Sequence, residues 1–114
     1  MAAPIMQTPQ AIAALSALAQ DSRLAIYRLL VQHASDGLAA SAIARRLDLA
    51  NATLSFHLKE LVHAGLVTIE RDGRSLIYRP AIERMNGLLA YLSAHCCQGV
   101  ACAPARRRRR AAAC

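Results

Sequence analysis

The apolar period of the chain changes once, at Gly65, and that change sets most of what the chain can fold into. Before it, Leu54, Leu58, Leu61 and Val62 recur at spacings of four, three and one, the inward stripe of an amphipathic helix over Asn51 to Ala64. After it, Leu66 to Arg71 and Arg74 to Arg79 alternate, with Val67, Ile69, Leu76 and Tyr78 on the apolar positions of two strands. Asp72-Gly73 between them predicts a two-residue hairpin turn, because both central positions favour positive φ. Pro80 ends the second strand, since it has no amide hydrogen to give to a ladder.

Upstream, Ala11 to Ala19 predicts a short helix with Ile12, Leu15 and Leu18 on one side. Asp21 or Ser22 is placed to cap a second helix, which runs through Leu24, Ile26, Tyr27, Leu30 and Val31 and ends near Ser35-Asp36-Gly37. Ala39 to Leu47 reads as a third helix, and Asp48-Leu49-Ala50 as a tight turn into the fourth. A last helix from Ala81 to about His95 carries a seam of Ile82, Met85, Leu88, Leu89 and Leu92. The expected fold is therefore mainly α with a small β-hairpin. Two short helices across a tight turn, followed by a hairpin, make a winged helix-turn-helix. Residues 1–10 read as a flexible arm, 11–105 as one winged helix-turn-helix domain, and 106–114 as a disordered, arginine-rich tail.

Composition narrows the functions open to such a fold. At 114 residues the chain allows one domain and excludes a multidomain enzyme. Hydrophobic residues make up 55%, but 25 of them are alanine, so a monomer buries a modest core and a shared core in a homodimer is favoured. Four aromatic residues, Tyr27, Phe56, Tyr78 and Tyr91, are too few for a platform that stacks single-stranded bases. The formal charge of +7 falls to +2 without Arg106 to Arg110, so net charge alone argues little for nucleic acid. The arginine run itself reads as a solvated tail in preference to a nonspecific DNA anchor. Met1 to Gln20 and Met85 to Ala105 are uncharged, but the first lacks a basic start and the second carries Asn86, Gly87, Ser93, His95, Gln98, Gly99 and Pro104. Neither a secretory signal nor a membrane span is expected, and the reading is cytoplasmic. In that reducing setting Cys96, Cys97, Cys102 and Cys114, all near the C-terminus, point to metal or thiol chemistry and not to structural disulfides.

Two groups of residues carry the chemistry. The exposed face expected for the fourth helix holds Asn51, Thr53, Ser55, Phe56, His57 and Lys59, and the hairpin tip adds Arg71 and Arg74. Short polar groups near a helix N-terminus reach base edges in a major groove, while lysine and arginine meet phosphates. The same residues would also serve as the solvated face of an amphipathic helix; the order helix, turn, helix, hairpin favours double-stranded DNA as the partner.

The segment Leu49-Ala50-Asn51-Ala52-Thr53-Leu54-Ser55-Phe56-His57-Leu58-Lys59-Glu60-Leu61, followed by Ala64-Gly65-Leu66-Val67 and Asp72-Gly73-Arg74, is similar to the core of the ArsR/SmtB family. Leu18-Ala19-Gln20-Asp21-Ser22-Arg23-Leu24 resembles the start of that family's second helix. The resemblance covers roughly residues 11–95 and is most specific from Ser55 to Leu61. It implies a non-enzymatic, homodimeric repressor whose two recognition helices read a two-fold symmetric operator, with the first and last helices at the dimer interface.

The family's effector sites differ between branches. The helix before the recognition helix has no Cys-x-Cys pair, since it reads Leu38-Ala39-Ala40-Ser41-Ala42-Ile43, and the last helix offers Glu83 and one terminal histidine where another branch carries four zinc ligands. What this chain offers is Cys96-Cys97 with Cys102 five residues on, across Gly99. Adjacent cysteines close a strained disulfide, but three thiolates suit a pyramidal trivalent thiophile, arsenite or antimonite, whereas structural zinc prefers four ligands. The arrangement resembles the arsenic-responsive subgroup with a Cys-Cys pair and a third cysteine after the last helix. The expected protein is an arsenite-responsive repressor with As(III) as effector. Alternatives are a divalent metal sensor completed by His95 or Cys114, a thiol-redox sensor of the same fold, or a metal-sequestering or DNA-packaging protein. A thiol enzyme is disfavoured, because the cysteine pair ends a helix and lacks Cys-x-x-Cys spacing.

Overall fold

The computed structural model describes residues 5–95. Five helices and three short strands follow in the order α1 (Thr8–Leu18), α2 (Asp21–Gln32), β1 (Leu38–Ala39), α3 (Ala40–Leu47), α4 (Asn51–His63), β2 (Val67–Asp72), β3 (Ser75–Pro80) and α5 (Ile82–Ser93). The strands form one antiparallel sheet ordered β1-β3-β2. Ile26 and Leu30 of α2, Ile43 of α3, and Leu54, Leu58 and Leu61 of α4 pack with Leu66, Val67 and Leu88 in one core. This is a winged helix-turn-helix: α3 and α4 are the two helices of the turn, and β2 with β3 is the wing.

The termination of α4 explains the change of period at Gly65. The Gly65 amide donates to the Val62 carbonyl at 2.9 Å and the Leu66 amide to the Leu61 carbonyl at 3.0 Å. With Gly65 at φ +81°, this is the pair of bonds that closes a helix through a left-handed glycine. Leu61 and Leu66 are both fully buried, the apolar contact that accompanies such a cap. The chain leaves the cap directly into β2.

Several local expectations are corrected. Helix α1 begins at Thr8, not Ala11, so the arm expected over residues 1–10 is shorter at its C-terminal side: Thr8 to Gln10 are helical and Met6 is buried. Pro9 suits a first helical turn, and the Gln7 amide donates to Gln10 Oε1 at 2.8 Å. Within α1 the spacing of Ile12, Leu15 and Leu18 does not say which side meets the core, and the structure turns the alanine side inward with Leu18 half-buried beside it. Ala11, Ala14 and Ala17 point inward, while Ile12 and Leu15 are exposed. Helix α2 is capped by Gln20, whose side chain accepts from the Arg23 amide at 3.0 Å, and not by Asp21 or Ser22. It ends at Gln32, earlier than expected, and the segment after it leads into β1, which pairs Leu38 with Tyr78 and Ala39 with Ile77. Two residues are too short to show a strand period. The hairpin turn falls on Gly73-Arg74, since Asp72 pairs with Ser75; φ is positive at Gly73 and not at Arg74, the sign pattern of a type II′ turn. The expected α5 seam is divided: Leu88 is buried and Met85 half-buried, but Ile82, Leu89 and Leu92 are exposed. Tyr27 is buried with its hydroxyl meeting no partner among the described residues, and burial pushes its phenol above the usual value, so it stays neutral.

Gly37 is closely enclosed. It lies buried at φ +73°, and a Cβ there would sit 2.5 Å from Ile77 Cγ2 and 3.0 Å from the Tyr78 carbonyl oxygen. Left-handed backbone and steric overlap therefore both oppose any larger residue. Gly37→Ala is expected to cost about 2 kcal/mol or more, read as a lowered midpoint in thermal or urea unfolding.

Candidate nucleic-acid interface

Helix α4 is aimed by its own stripe. Leu54, Leu58 and Leu61 are buried, so the opposite side is presented outward. On that side Asn51, Thr53, Ser55, Phe56 and Lys59 are all exposed, as expected from sequence. Phe56 is 56% exposed, a large ring that the core does not use.

His57 is the exception, and it leaves the expected DNA-contacting set. It is buried, 9% exposed, because it lies three residues after Leu54 and four before Leu61 on the inward stripe. Its Nδ1 lies 3.3 Å from Arg23 Nη1, and its ring meets Phe56 edge-on at 5.6 Å between centroids. Helical spacing alone places His57 on that stripe; its polarity suggested the opposite side.

The N-terminus of α4 has no side-chain cap, Ala50 being the capping residue, so the first-turn amides face outward without a side-chain acceptor. Such a terminus favours an anion. Arg45 and Arg46 are exposed in the last turn of α3, one short turn before α4, and they are not among the residues expected from sequence. Arg46 Nη1 lies 3.1 Å from His33 Nε2. An adjacent arginine pair just before the turn is the signal that could have found them.

The wing projects from the same body. Residues 71–76 are all exposed, so Arg71 and Arg74 stand where expected, and a Cβ added at Gly73 would touch nothing. Its base is held by Arg79, which pairs with Glu70 diagonally across the two strands and donates to the Asp36 carbonyl at 3.1 Å.

Cys96, Cys97 and Cys102 lie outside the described residues, as does Cys114. Among the described residues no group of three or more histidine, cysteine, aspartate or glutamate side chains is placed to hold a metal. His95, exposed and at φ +63°, follows α5 immediately before the cysteine pair. No helix among the described residues is long and apolar enough to cross a membrane.

Comparison with known proteins agrees with this geometry. Residues 18–70 match a helix-turn-helix domain family. An ArsR-like transcriptional regulator from Rhodococcus sp. RHA1 superposes with a TM-score of 0.68 at 26% identity, over 75% of this chain and 77% of that one. The homodimeric winged helix-turn-helix DNA-binding domain of a possible ArsR-family transcriptional regulator from Mycobacterium bovis is 31% identical, over 76% of this chain and 81% of that one, with a TM-score of 0.60. A possible transcriptional regulator for arsenical resistance is 29% identical over 70% and 80%, with a TM-score of 0.61. No curated protein matches the chain in sequence.

The two sides of α4 respond differently to truncation. Phe56→Ala is expected to leave stability within about 0.5 kcal/mol, whereas Leu58→Ala costs about 2–5 kcal/mol. Urea unfolding of both variants checks the assignment.

Proposed function

Since the chain belongs to the ArsR family of winged helix-turn-helix transcriptional regulators, we propose that it is a dimeric repressor that releases operator DNA when trivalent arsenic binds Cys96, Cys97 and Cys102. The observation that carries the DNA-reading part is the outward face of α4, where Asn51, Thr53, Ser55, Phe56 and Lys59 stand clear of the core beside an uncapped helix terminus. Short polar side chains on such a face suit base edges, and Lys59 and the terminus suit phosphate. Arg71 and Arg74 on the wing then contact the backbone or the minor groove beside it.

Dimerisation is supported by the apolar outer faces of α1 and α5. Ile12, Leu15, Ile82, Leu89 and Leu92 are exposed on them, and the homodimeric relative from Mycobacterium bovis shares the fold. A two-fold dimer places two copies of α4 on successive major-groove faces of one operator.

The arsenic part rests on the three thiols, within seven residues directly after His95, and on the likeness to a possible regulator for arsenical resistance. Three thiolates satisfy a pyramidal As(III) or Sb(III) ion. Fluorescence anisotropy of the reduced full chain on DNA from its own upstream region, titrated in parallel with arsenite and zinc, tests the assignment. Release by arsenite and not by zinc supports it. Release by zinc or cadmium alone moves His95 or Cys114 into the site, and binding that ignores both ions leaves a redox or constitutive role.

Two outcomes follow. Arg71→Ala and Arg74→Ala should each lower the slope of log K against log salt by about 1, the share of a single neutralised phosphate. Cys96→Ser or Cys97→Ser should leave DNA affinity intact and abolish release by arsenite; a serine variant that still releases at the same arsenite concentration refutes the cysteine site.

A further inference from the structure

Arg23 stands in the first turn of α2, where its charge opposes the helix dipole. Its placement is explained by two contacts outside its own helix. Nε donates to the Ala17 carbonyl at 2.7 Å, one of the oxygens that the C-terminal turn of α1 leaves without an intrahelical partner. Nη1 lies 3.3 Å from Nδ1 of the buried His57 on α4. A guanidinium can only donate, so in this contact Nδ1 is the acceptor and Nε2 carries the ring proton. One rigid, planar group thus joins the end of α1 to the inward side of α4, at the residue next to Phe56 on the outward face.

We propose that Arg23 is a positioning residue for DNA reading, acting through His57 to fix the rotation of α4 relative to α1. The inference rests on the proposed DNA-reading role of α4. The leucines of α4 decide which side of the helix faces the core, but dispersion contacts are not directional, so they hold its fine rotation only loosely. The Arg23–His57 contact is directional, and it ties the recognition face to the helix whose outer face carries Ile12 and Leu15. In a dimer built on that outer face, a small rotation of α4 alters how Ser55, Phe56 and Lys59 meet the groove in both half-sites at once.

The test uses the full-length chain and a duplex that the wild-type protein selects from a random pool. Arg23→Gln and His57→Leu should each weaken binding about tenfold, and the double variant should be no weaker than the singles. His57→Asn, which keeps an acceptor near the Nδ1 position, should bind within about twofold of wild type. The dimerisation constant of Arg23→Gln should stay near wild type, and its binding loss should persist at temperatures well below its unfolding midpoint, where a contact that served stability alone would leave affinity unchanged. Long-range ¹H–¹⁵N spectra should show His57 Nδ1 unprotonated and accepting a hydrogen bond in the wild type, with its ¹⁵N shift moved toward that of a free acceptor nitrogen in Arg23→Gln. Wild-type binding by both single variants, or losses that multiply in the double variant, overturns the proposal. A wild-type ring protonated at Nδ1 overturns it as well, without any variant that must fold. A wild-type chain that selects no duplex overturns the DNA-reading premise, and the selection step itself identifies that failure.

Discussion

The burial of one side of α4 is the constraint on which the rest of the structure depends. Leu54, Leu58 and Leu61 each withdraw nearly all of their surface from water, a gain of about 1.5–3 kcal/mol per side chain. Rotating the helix enough to hide Phe56 or Thr53 would expose two of those leucines, so the outward face is set by the inward one. The same stripe fixes where the helix must stop. Leu61 and Leu66 enclose the glycine cap from both sides, and the chain can only continue as β2. Recognition helix and wing are thus placed by one continuous piece of core.

The outer helices are built the other way round. In α1 Ala11, Ala14 and Ala17 face inward and Ile12 and Leu15 face out, while α5 contributes one buried leucine, Leu88, and leaves Ile82, Leu89 and Leu92 exposed. A monomer gains nothing from this arrangement, since larger side chains facing inward would bury more area. Small residues inside let α1 lie close to its neighbours, and large ones outside form an apolar surface of the kind that marks an association site. That distribution is why the proposed dimer is more than an analogy with a homodimeric relative.

Legibility from sequence followed the strength of each local signal. Helix α4, the wing and the outward positions of Asn51, Thr53, Ser55, Phe56, Lys59, Arg71 and Arg74 could be read because period, glycine and proline all agreed there. Strand β1 could not, since two residues carry no period and its pairing depends on Tyr78 and Ile77, far along the chain. The core-facing side of α1 was not legible, because apolar residues surround much of that helix and period alone does not say which side meets the core. His57 was misplaced by its chemistry: a histidine suggests solvent or DNA, and the arginine that partners it in the interior lies 34 residues earlier. The hairpin was identified but shifted by one residue, because Asp72-Gly73 and Gly73-Arg74 both satisfy a two-residue turn with glycine at a position of positive φ.

A signal arising beyond the end of α5 has a short physical route to the DNA-facing parts. The first turn of α5 is joined to the end of α4, for the Ala81 amide donates to the Leu66 carbonyl at 2.7 Å. The Arg84 guanidinium lies against Gly65, so close that a Cβ there would meet Nη2 at 2.7 Å. Its positive charge sits at the carbonyl end of α4, where the helix dipole favours it. At its other end α5 is held to α1, where Tyr91 and Thr8 share a hydroxyl hydrogen bond. A helix of twelve residues is stiff over its length, so a displacement at its C-terminus pulls on α1 through Tyr91 and on the α4 cap through Arg84 and Ala81. Both attachments bear on α4, the second directly and the first by way of Ala17 and Arg23. In the proposed repressor, an ion drawing Cys96 and Cys97 together therefore needs no new contact with the recognition helix. Tilting α5 changes the two supports that set its pose, and a tilt shared by both protomers of a symmetric dimer changes the separation of the two helices on the operator.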